Sequence, residues 1–253
     1  MLRDLRTSGF SEFETPDAAA RAAAELFIRL AEEAIRQRGG FFVALAGGTS
    51  FQKCLRILAE PQVSAKVDWA KVHVFFGDER CVAEGHPDRN DAAADAALLK
   101  RAPIPPGNIH RVDAVAADAA ELYEAEIRRV VGARREGAPP ERAPSFDLIL
   151  LGLGPDGHTA SLFPGHASLD AEERLVLRVT GSPKPPPSRV TFTFPLLNAA
   201  RCVVFLVTGS DKAEAFFAAM IGQRNVPAGR VNPLFGKLVF LADREAASIW
   251  RAA

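Results

Sequence analysis

The 253-residue chain has few cysteines and no excess of charge of either sign. Its three cysteines, Cys54, Cys81 and Cys202, are widely spaced and form no CxxC pair, which argues against a disulfide framework and against a zinc site. The 31 basic and 31 acidic residues give a formal net charge of zero, so no overall field draws the chain to nucleic acid or to an anionic membrane. Any anionic ligand must therefore be captured locally.

Long apolar runs are also missing. No stretch approaches the roughly 18 apolar residues that a membrane-spanning helix requires. Residues 1–6 lack the apolar core of a signal peptide. Together with the odd number of cysteines, these absences predict a cytoplasmic protein in a reducing compartment, without membrane or nucleic-acid partners.

Strand and helix patterns alternate along the chain, and its 48% hydrophobic content is sufficient for one large core. Thr15, Pro16 and Asp17 have the residue types that begin a helix, which we expect to end at Gly39. Apolar runs predict strands at 41–46, 72–76, 148–151, 175–179, 190–194, 202–207 and 238–241, with helices near 51–60, 88–101, 118–135, 211–221 and the C-terminus.

This alternation predicts a single α/β domain over residues 1–253. We expect a three-layer α/β/α architecture around a mostly parallel, Rossmann-like sheet, with helices on both faces. The proline- and glycine-rich segment 137–144 resembles a linker, but it is short, and we predict a surface loop there rather than a domain boundary.

The most informative segment runs from Phe146 to Gly165. Residues 148–151 are apolar without alternation, which is typical of a central parallel strand covered on both faces. Because ligands bind at the carboxyl ends of strands in open α/β sheets, we expect Asp156 and His158 at the rim of a crevice. Spacing alone leaves a buried structural histidine as the alternative.

Three other predicted strands also end in polar residues. Gly47-Gly48-Thr49-Ser50 lies between a strand and a helix, where backbone N–H groups favour a phosphate, although an ordinary tight turn fits equally well. Asp78 and Arg80 follow the next strand and also suit an ion-paired surface turn. Lys212 follows a later strand, where a lysine commonly faces solvent. Together the four loops suit acid–base chemistry on a phosphorylated substrate.

Other candidates are weaker. His166 has no neighbouring carboxylate at metal-ligand spacing, so we predict no metal site. Ser161 lies outside any GxSxG motif, which favours a structural role over a nucleophile. Arg189 follows the stiff segment 183–187, and it either faces a substrate or leads into the next strand.

Five segments together resemble the motif series of the 6-phosphogluconolactonase family, in that family's order. They are 45–50, 76–80, 152–165, 189–191 and 209–213. The resemblance implies hydrolysis of 6-phospho-D-glucono-1,5-lactone to 6-phosphogluconate in the oxidative pentose phosphate pathway. It also implies that no cofactor is needed and that the partner is a phosphorylated sugar lactone, bound by a monomer or a weak homo-oligomer.

Residue by residue, the resemblance implies that His158 is the general base. From the chemistry of the reaction, we expect Asp156 to orient the ring or to support its charged form, with Asp78 as the next candidate for the base if His158 is not. The resemblance directs Lys212, Arg80 and the glycine loop to the substrate phosphate. Arg80 serves either the phosphate or the oxyanion, and both roles remain open.

One segment departs from the family pattern. Residues 88–91 read Asp-Arg-Asn-Asp, where the family more often reads Asp-Ser-Asn-Tyr. Asn90 matches, but no role follows for Arg89 or Asp91.

Two other functions compete with lactone hydrolysis. Glucosamine-6-phosphate deaminases resemble the chain in fold and in the Asp-Gly-His segment, but they carry a glutamate five residues after the histidine, where this chain has Phe163. A non-catalytic sugar-phosphate sensor is the second alternative, although no helix-turn-helix module or basic face is evident in the sequence.

Overall fold

The computed structural model describes residues 8–132 and 143–252. Its strands are β1 (Ser8–Phe13), β2 (Phe41–Leu45), β3 (Val72–Phe76), β4 (Asp78–Arg80), β5 (Leu148–Leu151), β6 (Val176–Val179), β7 (Arg189–Phe192), β8 (Cys202–Val207) and β9 (Lys237–Asp243). Its helices are α1 (Pro16–Arg38), α2 (Thr49–Leu58), α3 (Pro61–Ser64), α4 (Asn90–Ala94), α5 (Ala119–Val130), α6 (Phe194–Leu197), α7 (Ala213–Met220), α8 (Pro227–Arg230) and α9 (Ser248–Ala252).

A parallel sheet forms the centre of the molecule. Its six strands lie in the order β1-β9-β8-β5-β2-β3. One hydrophobic core lies between the sheet and α1 with α2, and a second lies on the opposite face with α5 and α7. The predicted three-layer α/β/α fold with a mostly parallel, Rossmann-like sheet is confirmed.

The central strand β5 shows why its sequence has no alternation. Leu148 and Leu150 belong to the core beneath α1, whereas Ile149 and Leu151 belong to the core on the opposite face. All four residues are buried, because side chains on both sides of a central parallel strand are covered by helices or loops.

The first helix begins and ends where its sequence predicts. The Thr15 side chain accepts a 3.1 Å hydrogen bond from the Ala18 backbone N–H, and Pro16 occupies the first helical position. Gly39 ends the helix in the left-handed conformation with φ of 78° and donates its N–H to the Ile35 carbonyl.

A second, smaller sheet departs from the prediction of a single sheet. It is antiparallel, with the order β4-β7-β6. Residues 78–80, which we predicted as a loop, form its strand β4, and the predicted strands 175–179 and 190–194 pair here instead of joining the parallel sheet. The reason is the connection: segment 180–188 contains no crossover helix, so β7 returns beside β6 in the opposite direction.

Other differences concern the edges of elements. Strand β1 was not predicted, because Ser11 and Glu12 are polar and exposed at the edge of the sheet, where burial imposes no apolar pattern. The predicted helix 88–101 consists of α4 and a following π-helical turn over 95–99. The predicted end of helix 118–135 and most of loop 137–144 lie outside the described residues.

The strand order places a crevice between β2 and β5. The chain passes from β2 to β3 on one side and later adds β5, β8 and β9 on the other side. The loops after β2 and β5 therefore diverge at this point, which is where ligands bind in open α/β sheets. Among the described residues, no helix has both the length and the apolar character needed to cross a membrane.

Buried charges hold the loop that follows β3. The Glu79 carboxylate accepts hydrogen bonds from the backbone N–H groups of Arg80, Asn90 and Asp91, at 2.8, 2.7 and 2.9 Å. Burial raises the pKa of Glu79, although these N–H bonds oppose the shift. Arg89 donates two hydrogen bonds to Asp91, at 2.8 and 2.7 Å. Arg89 also donates a 3.2 Å hydrogen bond to the Val82 carbonyl, so the buried Arg89–Asp91 pair stabilises this loop.

Removing one partner of the Arg89–Asp91 ion pair should be strongly destabilising, because both side chains are only 4% exposed and the other charge would be left buried. Replacing Arg89 by Met leaves a buried carboxylate without its main partner, and we expect a loss of about 3–5 kcal/mol in the free energy of unfolding. The matched control is Arg21→Met, since Arg21 pairs with Glu60 on the surface and such pairs contribute about 0–1 kcal/mol. Denaturant titration measures both variants, and equal losses would contradict a structural role for Arg89.

Candidate active site

A cavity of about 200 Å³ lies where the carboxyl ends of the parallel strands meet the smaller sheet. We call it the site cavity. It is lined by Ala46, Gly47, Gly48, Asp78, Arg80, Asn90, Gly152, Leu153, Gly154, Pro155, His158, Ala160, Lys184, Arg189 and Lys212. Residues from the ends of β2, β3, β5 and β8 are thus brought together, as their positions in the sequence predict.

The predicted site residues occupy three positions relative to this cavity. Its walls include Gly47, Gly48, Asp78, Arg80, His158, Arg189 and Lys212. Thr49 and Ser50 line an adjoining depression of about 140 Å³ that shares Gly47, Gly48 and Lys212 with the site cavity. Asp156 is not among the residues that line the cavity, but it contacts His158, which does line it.

His158 and Asp156 form a close pair. The distance from His158 Nδ1 to Asp156 Oδ1 is 2.5 Å. Two lone pairs would repel at this separation, so Nδ1 carries a proton and donates a hydrogen bond to the carboxylate. In the neutral ring the other nitrogen, Nε2, is then unprotonated and can accept a proton, and it has no hydrogen-bond partner among residues 8–132 and 143–252.

The surroundings of His158 favour its neutral form. Burial is the largest influence and lowers its pKa from the ordinary value of about 6.5, while the Asp156 hydrogen bond raises the pKa in opposition. The side chain is only 18% exposed. A neutral imidazole near physiological pH can act as a general base.

Phe163 covers the imidazole. Its ring centroid lies 4.8 Å from that of His158, and the Arg189 guanidinium lies 5.5 Å from the centre of the same Phe163 ring. Phe163 is fully buried. An apolar ring against the imidazole adds no charge that would favour protonation.

The glycine loop brings backbone close to the cavity. Gly48 precedes α2 with φ of 97°, a backbone conformation that residues other than glycine rarely adopt. A Cβ on Gly47 would lie 2.0 Å from Asn90 Oδ1, so only glycine fits against that amide. Beside this loop, the hydroxyl groups of Ser50 and Thr208 lie 2.6 Å apart.

Two cations on the cavity wall have weak protein partners. Lys212 lies 3.2 Å from the carboxylate of Asp211, which is 63% exposed. Arg80 donates from Nη1 to the Asp88 carbonyl, and its buried Nε has no hydrogen-bond partner in the described part of the chain. Exposed ion pairs contribute little, so both cations remain available to an anionic ligand.

Asp78 and Arg189 have stronger structural contacts. Asp78 Oδ2 accepts a 2.7 Å hydrogen bond from Ser161, and Oδ1 accepts one of 3.1 Å from the Asn90 side chain. Arg189 donates to the carbonyls of Lys184 and Pro185, each at 3.1 Å. Arg189 thus supports the proline-rich loop as well as lining the cavity, and the Ser161 hydroxyl is buried against Asp78 as its predicted structural role requires.

Lys184 is the site residue that sequence reasoning missed. Its ammonium nitrogen lies 3.3 Å from Asp156 Oδ1 and 3.2 Å from His158 Nδ1. The local sequence, a lysine between prolines, does not predict this contact. The contact arises because β6 and β7, which flank the loop, place Lys184 beside residues that follow β5. In the described residues, no group of three or more His, Cys, Asp or Glu side chains is arranged to hold a metal ion.

Comparisons with known proteins identify relatives across most of the chain. Residues 14–240 match the model of the family described as glucosamine-6-phosphate isomerases/6-phosphogluconolactonase. A probable 6-phosphogluconolactonase 2 from Oryza sativa subsp. indica is 38% identical over 248 residues, which cover 93% of this chain and 88% of the rice protein. A chloroplastic 6-phosphogluconolactonase 3 from Arabidopsis thaliana is 40% identical over 222 residues, covering 87% of this chain and 68% of that protein.

A solved structure agrees with these relatives. The 6-phosphogluconolactonase from Thermotoga maritima superposes with a TM-score of 0.79 at 30% identity, covering 93% of this chain and 99% of that one.

The geometry predicts that Gly154 is essential for the His158–Asp156 pair. A Cβ on Gly154 would lie 1.9 Å from His158 Nδ1 and 2.5 Å from Asp156 Oδ1, so Gly154→Ala must separate the two side chains. We expect the NMR signal of the hydrogen-bonded Nδ1 proton to disappear, with a loss of stability of about 1–3 kcal/mol. Gly152→Ala is the matched control, because no atom lies within 4 Å of its Cβ position. A retained Nδ1 proton signal in Gly154→Ala would contradict this geometry.

Proposed function

This chain belongs to the glucosamine-6-phosphate isomerase/6-phosphogluconolactonase family, and we propose that within it the chain hydrolyses 6-phospho-D-glucono-1,5-lactone to 6-phospho-D-gluconate in the oxidative pentose phosphate pathway. The observation that carries the proposal is the close pair of His158 and Asp156, with 2.5 Å between Nδ1 and Oδ1, at the wall of a cavity with cationic side chains.

The reaction needs little beyond what this site contains. A δ-lactone has a reactive carbonyl, so the protein must position a water molecule, remove its proton during attack and stabilise the resulting oxyanion. His158 Nε2 takes the proton as the water oxygen bonds to the carbonyl carbon. When the tetrahedral intermediate collapses, the ring C–O bond breaks and the imidazolium returns the proton to the departing ring oxygen. Asp156 keeps the ring oriented through both steps.

The substrate phosphate is the natural ligand for the other end of the cavity. We assign it to Lys212 and to the loop Gly47-Gly48-Thr49-Ser50, which stands at the N-terminus of α2, where backbone N–H groups and the helix dipole favour anions. Arg80 also lines the cavity and serves either the phosphate or the oxyanion. Asp78 and Arg189 shape the wall, and we assign them to substrate binding at that position.

Phe163 is the feature that favours the lactonase over the deaminase. In the deaminases that this chain resembles, a glutamate stands five residues after the histidine. Here the position is a buried phenylalanine packed on the imidazole, so no carboxylate is available from it for ring opening and proton transfer. A non-catalytic sensor has less support, because the curated relatives named above are lactonases over most of the chain.

We further propose that the enzyme needs no cofactor and acts in the cytoplasm as a monomer or a weak homo-oligomer. The unpaired cysteines Cys54, Cys81 and Cys202 suit a reducing compartment.

The decisive experiment measures lactone opening by the wild type and by His158→Ala, corrected for spontaneous hydrolysis. Because general-base assistance is worth about 10²–10⁴-fold, kcat should fall by that factor in the variant. The base must be neutral, so wild-type kcat should fall on acidification through the pKa of His158. The pH profile of kcat/KM reports the free enzyme, and since burial lowers the pKa of His158, its acidic limb should lie below about pH 6.5 and be absent from His158→Ala.

Three results would contradict the proposal. Ammonia release from glucosamine-6-phosphate at a rate comparable to lactone opening would favour the isomerase class. An acidic limb that persists in His158→Ala would move the base elsewhere, with Asp78 as the next candidate. Loss of activity on chelation, restored by zinc or magnesium, would refute a metal-free mechanism.

Lys212→Ala separates phosphate capture from lactone chemistry. A charge-assisted contact is worth about 1.5–3 kcal/mol, so kcat/KM for the phosphorylated lactone should fall roughly 10- to 150-fold. Gluconolactone, which lacks the phosphate, should be hydrolysed with nearly unchanged kcat/KM. The ratio of the two kcat/KM values is the measurement, and an unchanged ratio would exclude Lys212 as a phosphate ligand.

The same ratio of kcat/KM values, measured in Arg80→Ala, distinguishes the two roles open to Arg80. If Arg80 binds the phosphate, the variant reduces the same ratio. If Arg80 stabilises the oxyanion, both lactones slow together and the ratio stays constant.

A further inference from the structure

Lys184 reaches the His158–Asp156 pair from a different sheet. Asp156 and His158 follow β5 of the parallel sheet, whereas Lys184 lies in the loop between β6 and β7 of the small sheet. Its ammonium nitrogen is 3.3 Å from Asp156 Oδ1 and 3.2 Å from His158 Nδ1. The contact therefore depends on how the two sheets are joined.

The protonation of the pair decides what this contact does. Nδ1 already donates its proton to Asp156, so it cannot accept a hydrogen bond from Lys184. The ammonium group therefore donates to Asp156 Oδ1, which accepts from both cationic and neutral donors. A further positive charge on the imidazole would lie beside this ammonium group and would be disfavoured.

The backbone of Lys184 is fixed independently of its side chain. Its carbonyl accepts hydrogen bonds from Arg189 Nη2 at 3.1 Å and from the Ser182 hydroxyl at 2.8 Å. Its N–H donates to the Ser182 hydroxyl at 3.2 Å. Arg189 is only 4% exposed, so a buried side chain anchors the loop that presents Lys184. Replacing the lysine side chain leaves these anchors in place.

We propose that Lys184 is a positioning residue: its ammonium group holds Asp156 against Nδ1 of His158 and keeps the imidazole neutral, with Nε2 ready to accept a proton. This role rests on the proposed function of His158 as the general base. Lys184 acts through the pair, whereas Lys212, on the same cavity wall, has Asp211 as its carboxylate partner.

Other charges near His158 do not duplicate this effect. Asp78 favours the protonated imidazole, as Asp156 does, whereas Lys184 opposes it. The Arg189 guanidinium is separated from the imidazole by the Phe163 ring, which packs on both groups. Lys184 is thus the cation in direct contact with the pair among the described residues.

The test compares Lys184→Met, Lys184→Arg and Lys212→Met with the wild type. In Lys184→Met, the acidic limb of kcat should move to higher pH, because the cation that disfavours the imidazolium is gone. At the pH where the wild type retains half of its maximal kcat, this variant should retain clearly less than half. Lys184→Arg keeps the charge and should keep the limb near its wild-type position. Lys212→Met should raise KM for the phosphorylated lactone and leave the limb unmoved.

An NMR titration of the His158 ring in the free protein gives a second readout that does not depend on activity. The imidazole should titrate at higher pH in Lys184→Met than in the wild type. If the wild type opens no lactone but the titration still shifts, the proposed function fails, whereas the effect of Lys184 on the charge of the imidazole stands. If lactone is opened and both the limb and the titration are unchanged in Lys184→Met, the positioning role is overturned. A rise in KM without either shift would make Lys184 a substrate ligand instead.

Discussion

The short hydrogen bond between His158 Nδ1 and Asp156 Oδ1 constrains the tautomer of the imidazole and the residues that can pack against the pair. At 2.5 Å it fixes Nδ1 as the ring nitrogen that donates, and so it leaves Nε2 of the neutral ring as the nitrogen that can accept a proton. The pair requires a glycine at 154, because any Cβ there would overlap both side chains. It also requires an apolar cover, which Phe163 supplies, since a carboxylate at that position would favour the protonated ring.

The surrounding structure consists of two sheets with different tasks. The parallel sheet presents the glycine loop, the His158 loop and Lys212 from the ends of adjacent strands, as the switch in strand order requires. The antiparallel sheet supplies Asp78 and, through the loop held by Arg189, Lys184. Buried charges stabilise this second sheet and its loops. The Glu79 carboxylate accepts hydrogen bonds from three backbone N–H groups, and Arg89 forms an ion pair with Asp91.

Sequence patterns predict those parts of the fold and site that depend on neighbours along the chain. The apolar run of β5, the caps of α1 and the polar strand ends are all signals of this kind, and the structure brings the strand ends together. The pairing of β4 with β7 and the contact of Lys184 depend on segments more than 25 residues apart. Arg89 and Asp91 are similar: two charged residues beside a helix start usually indicate solvent, and only their tertiary surroundings bury them.

Local charge explains how a chain with no net charge can present a cationic cavity. Lys184, Lys212 and Arg189 each face a carboxylate, at distances of 3.3, 3.2 and 3.9 Å, so the fold balances their charges without a ligand. Lys212 and Asp211 form a partly exposed pair, which a phosphate can replace at little cost because such pairs contribute little. The Asp156 contact differs, because its partner is also held by the imidazole. In the proposed mechanism, the cationic wall that binds the anionic substrate therefore also disfavours protonation of His158, and both effects favour a base that is unprotonated when the substrate binds.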